Sequence, residues 1–274
     1  MKLLFGLWLV GSTLFAGTLD PQVVSWLDDE SLVVADSAQR SLCRVTRQGQ
    51  VEVLWRFAGE GETGESPARA PVLEFEEICG LAPAPDRAVY VIGDSAVWLL
   101  DGRGGLRILA GDPDGDSEDG VRDGTAGWAR FDDVRPDAWA AGADGCLYLL
   151  EDDCLRRVTP AGQVRTLVAL PTEWKAVEAG TPARYPAWSM LAVDPRGNSY
   201  VLDGSLGVLL KVDRDGSFVE LPRPPAVGER GLLAAGPAGE LALAGPGGRS
   251  GYRYDPAAGW RSLSLEYPGV AACL

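Results

Sequence analysis

The chain contains 274 residues, of which 46% are hydrophobic and 23% are charged, a balance typical of a folded globular protein rather than a disordered one. Its 39 acidic residues exceed its 25 basic residues and give a formal net charge of −14, which disfavours binding to nucleic acid or to anionic membrane surfaces. The sequence contains no histidine, and this excludes Ser-His-Asp and Cys-His catalysis and every metal site that depends on imidazole ligands.

The first 17 residues differ from everything that follows. Lys2 precedes an apolar run over residues 3–10, and the stretch ends in the small residues Ala16 and Gly17. The run is shorter than the ~20 residues that a membrane-spanning helix needs. The pattern predicts a secretory signal peptide over residues 1–17, with a first strand packed into the fold as the alternative. We therefore expect a secreted or periplasmic protein with one mature domain over residues 18–274.

Beyond the predicted signal peptide, a pattern of four short apolar runs separated by turn residues occurs five times. Runs of this length, bounded by glycine, proline and aspartate, predict strands joined by tight hairpins. In chain order, the predicted strands are 23–26, 32–35, 42–45 and 51–55; 78–81, 89–92, 97–100 and 106–109; 138–141, 146–150, 155–158 and 164–168; 189–193, 200–202, 208–212 and 218–221; and 232–235, 241–244, 252–254 and 260–265.

A glycine precedes the last strand of every copy. These glycines, Gly49, Gly105, Gly162, Gly216 and Gly259, recur at intervals of 56, 57, 54 and 43 residues. Four-stranded repeats at such a period predict an all-β protein, a β-propeller with five recognisable blades. The ring either closes with five blades or has six, of which one is not recognisable. The tail, residues 268–274, resembles the start of a further first strand and would supply the closure.

The five cysteines are an odd number for an exported chain. Cys146 and Cys154 lie on successive predicted strands of one hairpin, at positions offset by several residues along the ladder. At ~3.4 Å per residue this offset exceeds the reach of a disulfide. We therefore expect buried free thiols that act as small hydrophobic groups.

The connections between copies carry much of the charge. Insert 58–77 has a net charge of −5 and insert 111–133 has a net charge of −6. In a propeller these connections cross on one face of the disc, so both inserts and the insert 170–187 should crowd that face. Solubility alone would account for the acidity, and a basic partner is the functional alternative.

Two phrases resemble consecutive parts of the NHL-repeat family of β-propellers. The first includes Asp119-Gly120 and Ala129-Arg130-Phe131, and the second includes Leu147-Tyr148-Leu149, Leu155-Arg156-Arg157-Val158 and Gly162-Gln163-Val164-Arg165-Thr166-Leu167. The resemblance extends over roughly residues 21–270, is strong in the third copy and is thin in the first and fifth. It implies a propeller fold but no single function, because the family includes binding scaffolds, sensor ectodomains and some enzymes.

Candidate binding residues lie in the inserts. The Ala-Arg phrase recurs before a first strand at Arg69, Arg130 and Arg184, and three equivalent guanidinium groups would suit an anionic ligand. The alternative is that each arginine pairs with a neighbouring carboxylate and pins its insert to the next blade. Trp128 and Trp174 also lie in inserts, where they either contact a partner or pack beneath the loops.

A calcium-loop resemblance in the second insert is weaker. Asp112, Asp114, Asp116 and Asp123 occupy positions 1, 3, 5 and 12, but Ser117 stands where the tight turn of such a loop needs glycine. We therefore predict no metal site. No catalytic residues or cofactor are predicted either.

The sequence favours a secreted or periplasmic, non-catalytic propeller that binds a protein partner with a basic surface through the acidic insert face. Nucleic acid and membrane insertion after signal cleavage are not expected. The alternative is a divalent-cation-dependent hydrolase or lyase of the propeller type. Gluconolactonase-like propellers hold their cation with carboxylates and asparagines, whereas Asn198 is the only asparagine in this chain. If the inserts do not bind, the short blade turns such as residues 194–198 are the surface to examine.

Overall fold

We describe the fold from a computed structural model. It describes residues 21–57, 78–93, 95–113, 120–132, 134, 138–151, 154–170, 188–204, 207–225, 231–245 and 250–263. The predicted signal peptide and the tail at 268–274 lie outside these ranges. Within them, no helix is long and apolar enough to cross a membrane.

Five sheets, each with four consecutive antiparallel strands, make up the described structure. The first sheet contains β1 (Pro21–Asp28), β2 (Ser31–Asp36), β3 (Ser41–Thr46) and β4 (Val51–Arg56). The second contains β5 (Gly80–Ala84), β6 (Ala88–Ile92), β7 (Ala96–Leu100) and β8 (Leu106–Gly111). A two-residue strand, β9 (Gly124–Thr125), and a short 3-10 helix (Ala126–Trp128) follow.

The remaining sheets repeat the same meander. The third contains β10 (Trp139–Ala141), β11 (Leu147–Leu150), β12 (Cys154–Val158) and β13 (Gln163–Ala169). The fourth contains β14 (Met190–Val193), β15 (Ser199–Asp203), β16 (Val208–Val212) and β17 (Phe218–Glu220). The fifth contains β18 (Leu232–Ala235), β19 (Leu241–Ala244), β20 (Gly251–Asp255) and β21 (Gly259–Leu263). Every predicted strand is present, so the prediction of five four-stranded units is confirmed.

Burial changes systematically across each meander. All residues of β2, β6, β11 and β15, the second strands of their sheets, are buried. The outermost strands β4, β17 and β21 are mostly exposed. Strands buried on both faces need cover on both sides, which explains why their sequences are continuous apolar runs rather than alternating ones.

The chain divides into two compact units, residues 1–133 with 159–164 and residues 134–158 with 165–274. In the first unit, one core joins the first and second sheets through side chains such as Val33, Leu42, Val91 and Trp98. In the second unit, one cluster joins the third and fourth sheets, and another joins the fourth and fifth. Each sheet therefore contributes apolar side chains to a neighbour within its unit, as repeated blades require.

The register of the third sheet shows whether Cys146 and Cys154 lie close enough to form a disulfide. Leu147 lies opposite Val158 and Leu150 opposite Leu155, so Cys146 and Cys154 stand at different levels of the ladder. Both are buried as free thiols, and burial raises the pKa of Cys146 above its ordinary value. The predicted offset is confirmed.

The described part of the second insert adds a short strand to the third sheet. β9 pairs with Gln163 and Val164 at the start of β13, which is the end of the third sheet away from the point where the insert enters β10. The expectation that the three inserts gather on one face stays a prediction. A free edge strand offers unpaired backbone groups, and β9 pairs with the first two residues of that edge as a fifth strand. The inserts 58–77 and 170–187 lie outside the described residues.

Candidate functional site

Backbone hydrogen bonds within the second insert, and from it to the turn before β13, fix its described part. Arg122 and Arg130 exchange two of them, with N–O distances of 3.2 and 3.0 Å, and the amide of Ala126 donates to the carbonyl of Gly162 at 3.1 Å. Together with the pairing of β9 to β13, these bonds fix the backbone on both sides of the 3-10 helix.

This fixed loop presents a tryptophan to solvent. The Trp128 side chain is 72% exposed, so it does not pack beneath the loop. Arg122 lies beside it: its Nε donates to the Trp128 carbonyl at 2.7 Å, and its Cζ lies 5.8 Å from the ring centroid. A cation at this distance is attracted to the ring face, and the pair restricts the ring. We call the surface formed by Arg122 and Trp128 the insert surface.

The Arg130 side chain, by contrast, makes its contacts within the insert. It makes an ion pair with Asp112 at 2.8 Å, and its side chain is only 16% exposed. The same guanidinium donates to the carbonyls of Gly127 at 2.6 Å and Ala129 at 2.9 Å. Arg130 therefore pairs with a carboxylate of its own insert, at the residue that directly follows β8. This is the ion pairing that was weighed against ligand binding, but it joins two ends of the insert and not the insert to the next blade.

The other predicted binding residues, Arg69, Arg184 and Trp174, lie outside the described residues. So do Asp114 and Asp116 of the calcium-like loop, while its first carboxylate, Asp112, is engaged by Arg130. Among the residues that the structure describes, no group of three cysteine or acidic side chains is arranged to hold a metal ion.

A second candidate surface lies in the second unit, where short turns of neighbouring sheets meet. A cavity of about 120 Å³ is lined by Tyr148, Arg157, Leu167 and Arg214, and we call it the third-sheet cleft. Asp144 beside it accepts hydrogen bonds from the Tyr148 hydroxyl at 3.2 Å and from Arg157 at 2.9 Å. Burial tends to raise the pKa of Asp144, but these hydrogen bonds and the Arg157 charge outweigh it, and the pKa is lowered.

The equivalent position one sheet later forms a larger cavity of about 200 Å³, which we call the fourth-sheet cleft. Its lining residues are Asp194, Arg196, Asn198, Tyr200, Lys211, Leu221, Ala238, Gly239, Tyr254 and Pro256. The correspondence is set by register, because Tyr148 lies opposite Arg157 and Tyr200 lies opposite Lys211. Burial and the charge of Asp194 raise the pKa of Tyr200 to about 12.

The turn that precedes β15 positions the acidic group of the fourth-sheet cleft. Asp194 is 1% exposed, and its Oδ1 accepts from the amides of Arg196 at 2.8 Å and Asn198 at 2.9 Å. Its Oδ2 accepts from the Asn198 side-chain amide at 2.8 Å and from the Tyr200 hydroxyl at 3.3 Å. An aspartate that hydrogen-bonds the backbone two and four residues later is the usual device of such turns.

The sequence analysis named neither Tyr148 nor Tyr200 as a candidate binding residue and did not predict these clefts. The available signal was the repeat itself: aligning the third and fourth copies brings Tyr148 onto Tyr200 and Arg157 onto Lys211. The turn at residues 194–198 was named only as a fallback surface. Aromatic side chains with a buried ring and a polar tip fit both packing and binding, so the alignment alone could not separate the two roles.

No protein-family model matches the sequence, and no curated protein matches it. Solved structures do match. Virginiamycin B lyase from Staphylococcus aureus is 13% identical with a TM-score of 0.56, over 91% of this chain and 71% of that one. YCF48 bound to D1 peptide is 14% identical with a TM-score of 0.52, over 91% and 68%. A chain of a nidogen/laminin complex is 11% identical with a TM-score of 0.51, over 87% and 77%.

These similar structures are β-propellers, and with the five repeated sheets they show that this chain has the β-propeller fold. Identities of this size show the fold alone. The resemblance to the NHL-repeat family stays a prediction.

Proposed function

We propose that the protein is an exported, non-catalytic NHL-repeat β-propeller that binds a protein partner through its insert surface. The observation that carries the proposal is Trp128, which is 72% exposed on a backbone that is already fixed by β9 and by Arg122. Tryptophan and arginine are the side chains that most often dominate the energy of protein interfaces. Because the loop is ordered before binding, little conformational entropy is lost on association.

The similar structures are compatible with this function. YCF48 bound to D1 peptide and the nidogen/laminin complex are propeller proteins with a peptide or protein partner. Virginiamycin B lyase from Staphylococcus aureus, one of the similar structures, is catalytically inactive when a histidine is replaced by alanine. This chain has no histidine, so it lacks the residue type on which that activity depends.

Charge favours a basic partner. The inserts 58–77 and 111–133 have net charges of −5 and −6, and this negative field would accelerate encounter with a positive surface. Exposed charges are screened beyond ~8 Å at physiological ionic strength. Association should therefore slow as salt is added, whereas a purely apolar contact would not.

A comparative capture from the periplasm or culture medium of the native organism tests the proposal. The baits are the wild-type protein, a Trp128→Ala variant, and a Phe218→Ala variant as the matched control. Phe218 is an aromatic side chain of β17 that is 40% exposed, so its removal tests whether any exposed aromatic side chain supports non-specific capture. We expect a protein that is captured by the wild type and by Phe218→Ala but not by Trp128→Ala. Equal capture by all three baits would contradict the insert surface as the binding site.

A metal analysis separates this proposal from the alternative of a cation-dependent hydrolase or lyase. The purified protein is assayed for bound divalent cations before and after chelation. Stoichiometric calcium or magnesium, together with loss of stability on chelation, would favour the enzyme and contradict a metal-free binding module.

A further inference from the structure

The two clefts of the second unit occupy the same place in successive sheets but balance their charge differently. In the third-sheet cleft, Asp144 faces two guanidinium groups, Arg157 at 2.9 Å and Arg214 at 3.8 Å. Arg157 belongs to β12 of the same sheet, and Arg214 belongs to the turn before β17 of the next sheet. The next sheet thus supplies a cation to the carboxylate of the sheet before it.

In the fourth-sheet cleft, this cation is replaced. The turn that supplies Arg214 reads Asp213-Arg214, and the corresponding turn of the fifth sheet reads Asp255-Pro256. Pro256 lines the cleft where the homologous arginine would stand, and the cavity measures about 200 Å³ instead of about 120 Å³. Because proline is shorter than arginine and uncharged, the fourth-sheet cleft is larger, and its carboxylate has no arginine from the next sheet beside it.

The carboxylate that lines this larger cavity has only neutral donors. Asp194 is 1% exposed, and its hydrogen bonds come from two backbone amides, the Asn198 amide and the Tyr200 hydroxyl. Among the described residues, no lysine or arginine lies within ion-pair distance of it. These four hydrogen bonds stabilise the carboxylate, and a cation in the cavity would add a Coulombic attraction that the low surrounding dielectric strengthens.

We propose that the fourth-sheet cleft binds an arginine side chain of a partner protein, which takes the place that Arg214 occupies in the third-sheet cleft. Asp194 would face the guanidinium, and the rings of Tyr200 and Tyr254 would offer aromatic surfaces that attract a cation. Leu221 and Pro256 give the cleft apolar walls, which suit the methylene stem of arginine.

Two basic residues, Arg196 and Lys211, line the fourth-sheet cleft, and neither forms an ion pair with Asp194 among the described residues. Lys211 already pairs with Asp213 at 2.7 Å. Arg196 is exposed; its charge acts on Tyr200, but among the described residues its guanidinium forms no ion pair with Asp194. The net charge of −14 on the chain steers positive ligands towards the molecule as a whole.

The test uses a small probe and the complete protein. Blocked arginine (N-acetyl-arginine N-methylamide) is titrated into wild-type protein at 150 mM salt and followed by calorimetry or by NMR shifts. The comparison ligand is the blocked citrulline analogue, which has the same shape but no charge. We expect saturable binding of arginine and at least tenfold weaker binding of citrulline. Equal binding of the two would overturn the proposal, because the carboxylate would then have no role.

Two variants locate the site. Pro256→Arg places the arginine of the third-sheet cleft into the fourth-sheet cleft, and it should abolish probe binding without lowering the melting temperature. Asp194→Asn keeps the turn acceptor Oδ1 but removes the charge, and it should weaken binding at least tenfold. Unchanged binding in a folded Pro256→Arg protein would overturn the proposal even if Asp194→Asn fails to fold.

Two further measurements complete the test. One asks whether the ligand is a protein side chain or the free amino acid, and the other asks whether the cleft binds independently of the insert surface. Free L-arginine should bind no more tightly than blocked arginine, and a tenfold preference for the free amino acid would contradict a protein side chain as the ligand. Trp128→Ala should bind the probe as the wild type does. Loss of probe binding in that variant would show that the cleft is not the site, whereas failure of the insert surface to bind a partner leaves the probe result unaffected.

Discussion

Replacing Gly216 by alanine should destabilise the protein more than the same replacement at Gly259, although both glycines adopt a left-handed backbone conformation. The φ angles are +90° at Gly216 and +75° at Gly259. An added Cβ at Gly216 would lie 2.1 Å from the carbonyl oxygen of Leu167 in β13, a strand of the preceding sheet, whereas an added Cβ at Gly259 meets no atom within 4 Å. The two positions therefore separate backbone strain from contact between sheets.

The expected losses of stability follow from the backbone strain and from the contact between sheets. A non-glycine residue in the left-handed region costs about 1–2 kcal/mol, and alanine recovers roughly 0.4–1 kcal/mol by restricting the unfolded chain. Gly259→Ala should therefore cost about 1 kcal/mol. At Gly216 the obstacle is backbone that cannot rotate away, and overpacking adds about 1–3 kcal/mol. Gly216→Ala should cost about 3 kcal/mol in total.

Urea unfolding followed by circular dichroism measures both values, with the free energy of unfolding extrapolated linearly to zero denaturant. Gly162→Ala gives an independent repeat, because its added Cβ would lie 2.3 Å from the carbonyl oxygen of Leu109. Equal losses of stability at Gly216 and Gly259 would refute the inference that the last-strand glycine is required by the neighbouring sheet.

Burial raises the pKa of Tyr200 to about 12, and a neighbouring carboxylate adds to the effect. Because the folded state favours the neutral phenol, the free energy of unfolding should fall as the pH rises from 10 to 12. A Tyr200→Phe variant should show a smaller fall than the wild type. Absorbance titration of tyrosinate checks it, and an identical pH dependence in both proteins would contradict it. Glu151→Ala should cost about 3–5 kcal/mol, because it removes a buried carboxylate that pairs with the buried guanidinium of Arg156 at 3.1 Å. Glu52→Ala at an exposed pair should cost less than about 1 kcal/mol, and similar losses in denaturant unfolding would count against the burial argument. N-terminal sequencing of exported protein should begin near residue 18, and a chain that retains Met1 would contradict both the signal peptide and the proposed location.

The repeated sheets were predictable because their signals are local. Continuous apolar runs bounded by turn residues specify a buried strand without knowledge of what covers it, and this is why β6, β11 and β15 were found. The glycine repeat was also informative, although in the second sheet the left-handed residue before the last strand is Gly104, with φ +89°, rather than Gly105.

The position of the second insert was not predictable in the same way. β9 has two residues, and its pairing to β13 depends on an edge that the sequence does not reveal. The ion pair of Arg130 with Asp112 joins the two ends of the same insert. The sequence offered both a ligand-binding role and an ion-pair role for Arg130, and only the distance between the groups decides between them.

The clefts depended on contacts between sheets, which a single sequence does not specify. The difference between Arg214 and Pro256 is visible in an alignment of the repeats. The effect of this difference on the charge balance of the clefts, however, depends on the burial and contacts of Asp144 and Asp194. The sequence does not distinguish a buried carboxylate from a solvated one. Charge in the inserts was visible at once, but composition alone does not say whether such charge steers a partner or maintains solubility.

The most direct test of the proposed function is the affinity of the captured partner for three proteins: wild type, Trp128→Ala and Phe218→Ala. Surface-immobilised partner and purified propeller variants give the dissociation constants at fixed salt. A tryptophan at the centre of an interface contributes about 2 kcal/mol or more, so Trp128→Ala should weaken binding at least thirtyfold while Phe218→Ala binds as the wild type does. A dissociation constant unchanged by Trp128→Ala would contradict the insert surface as the recognition site.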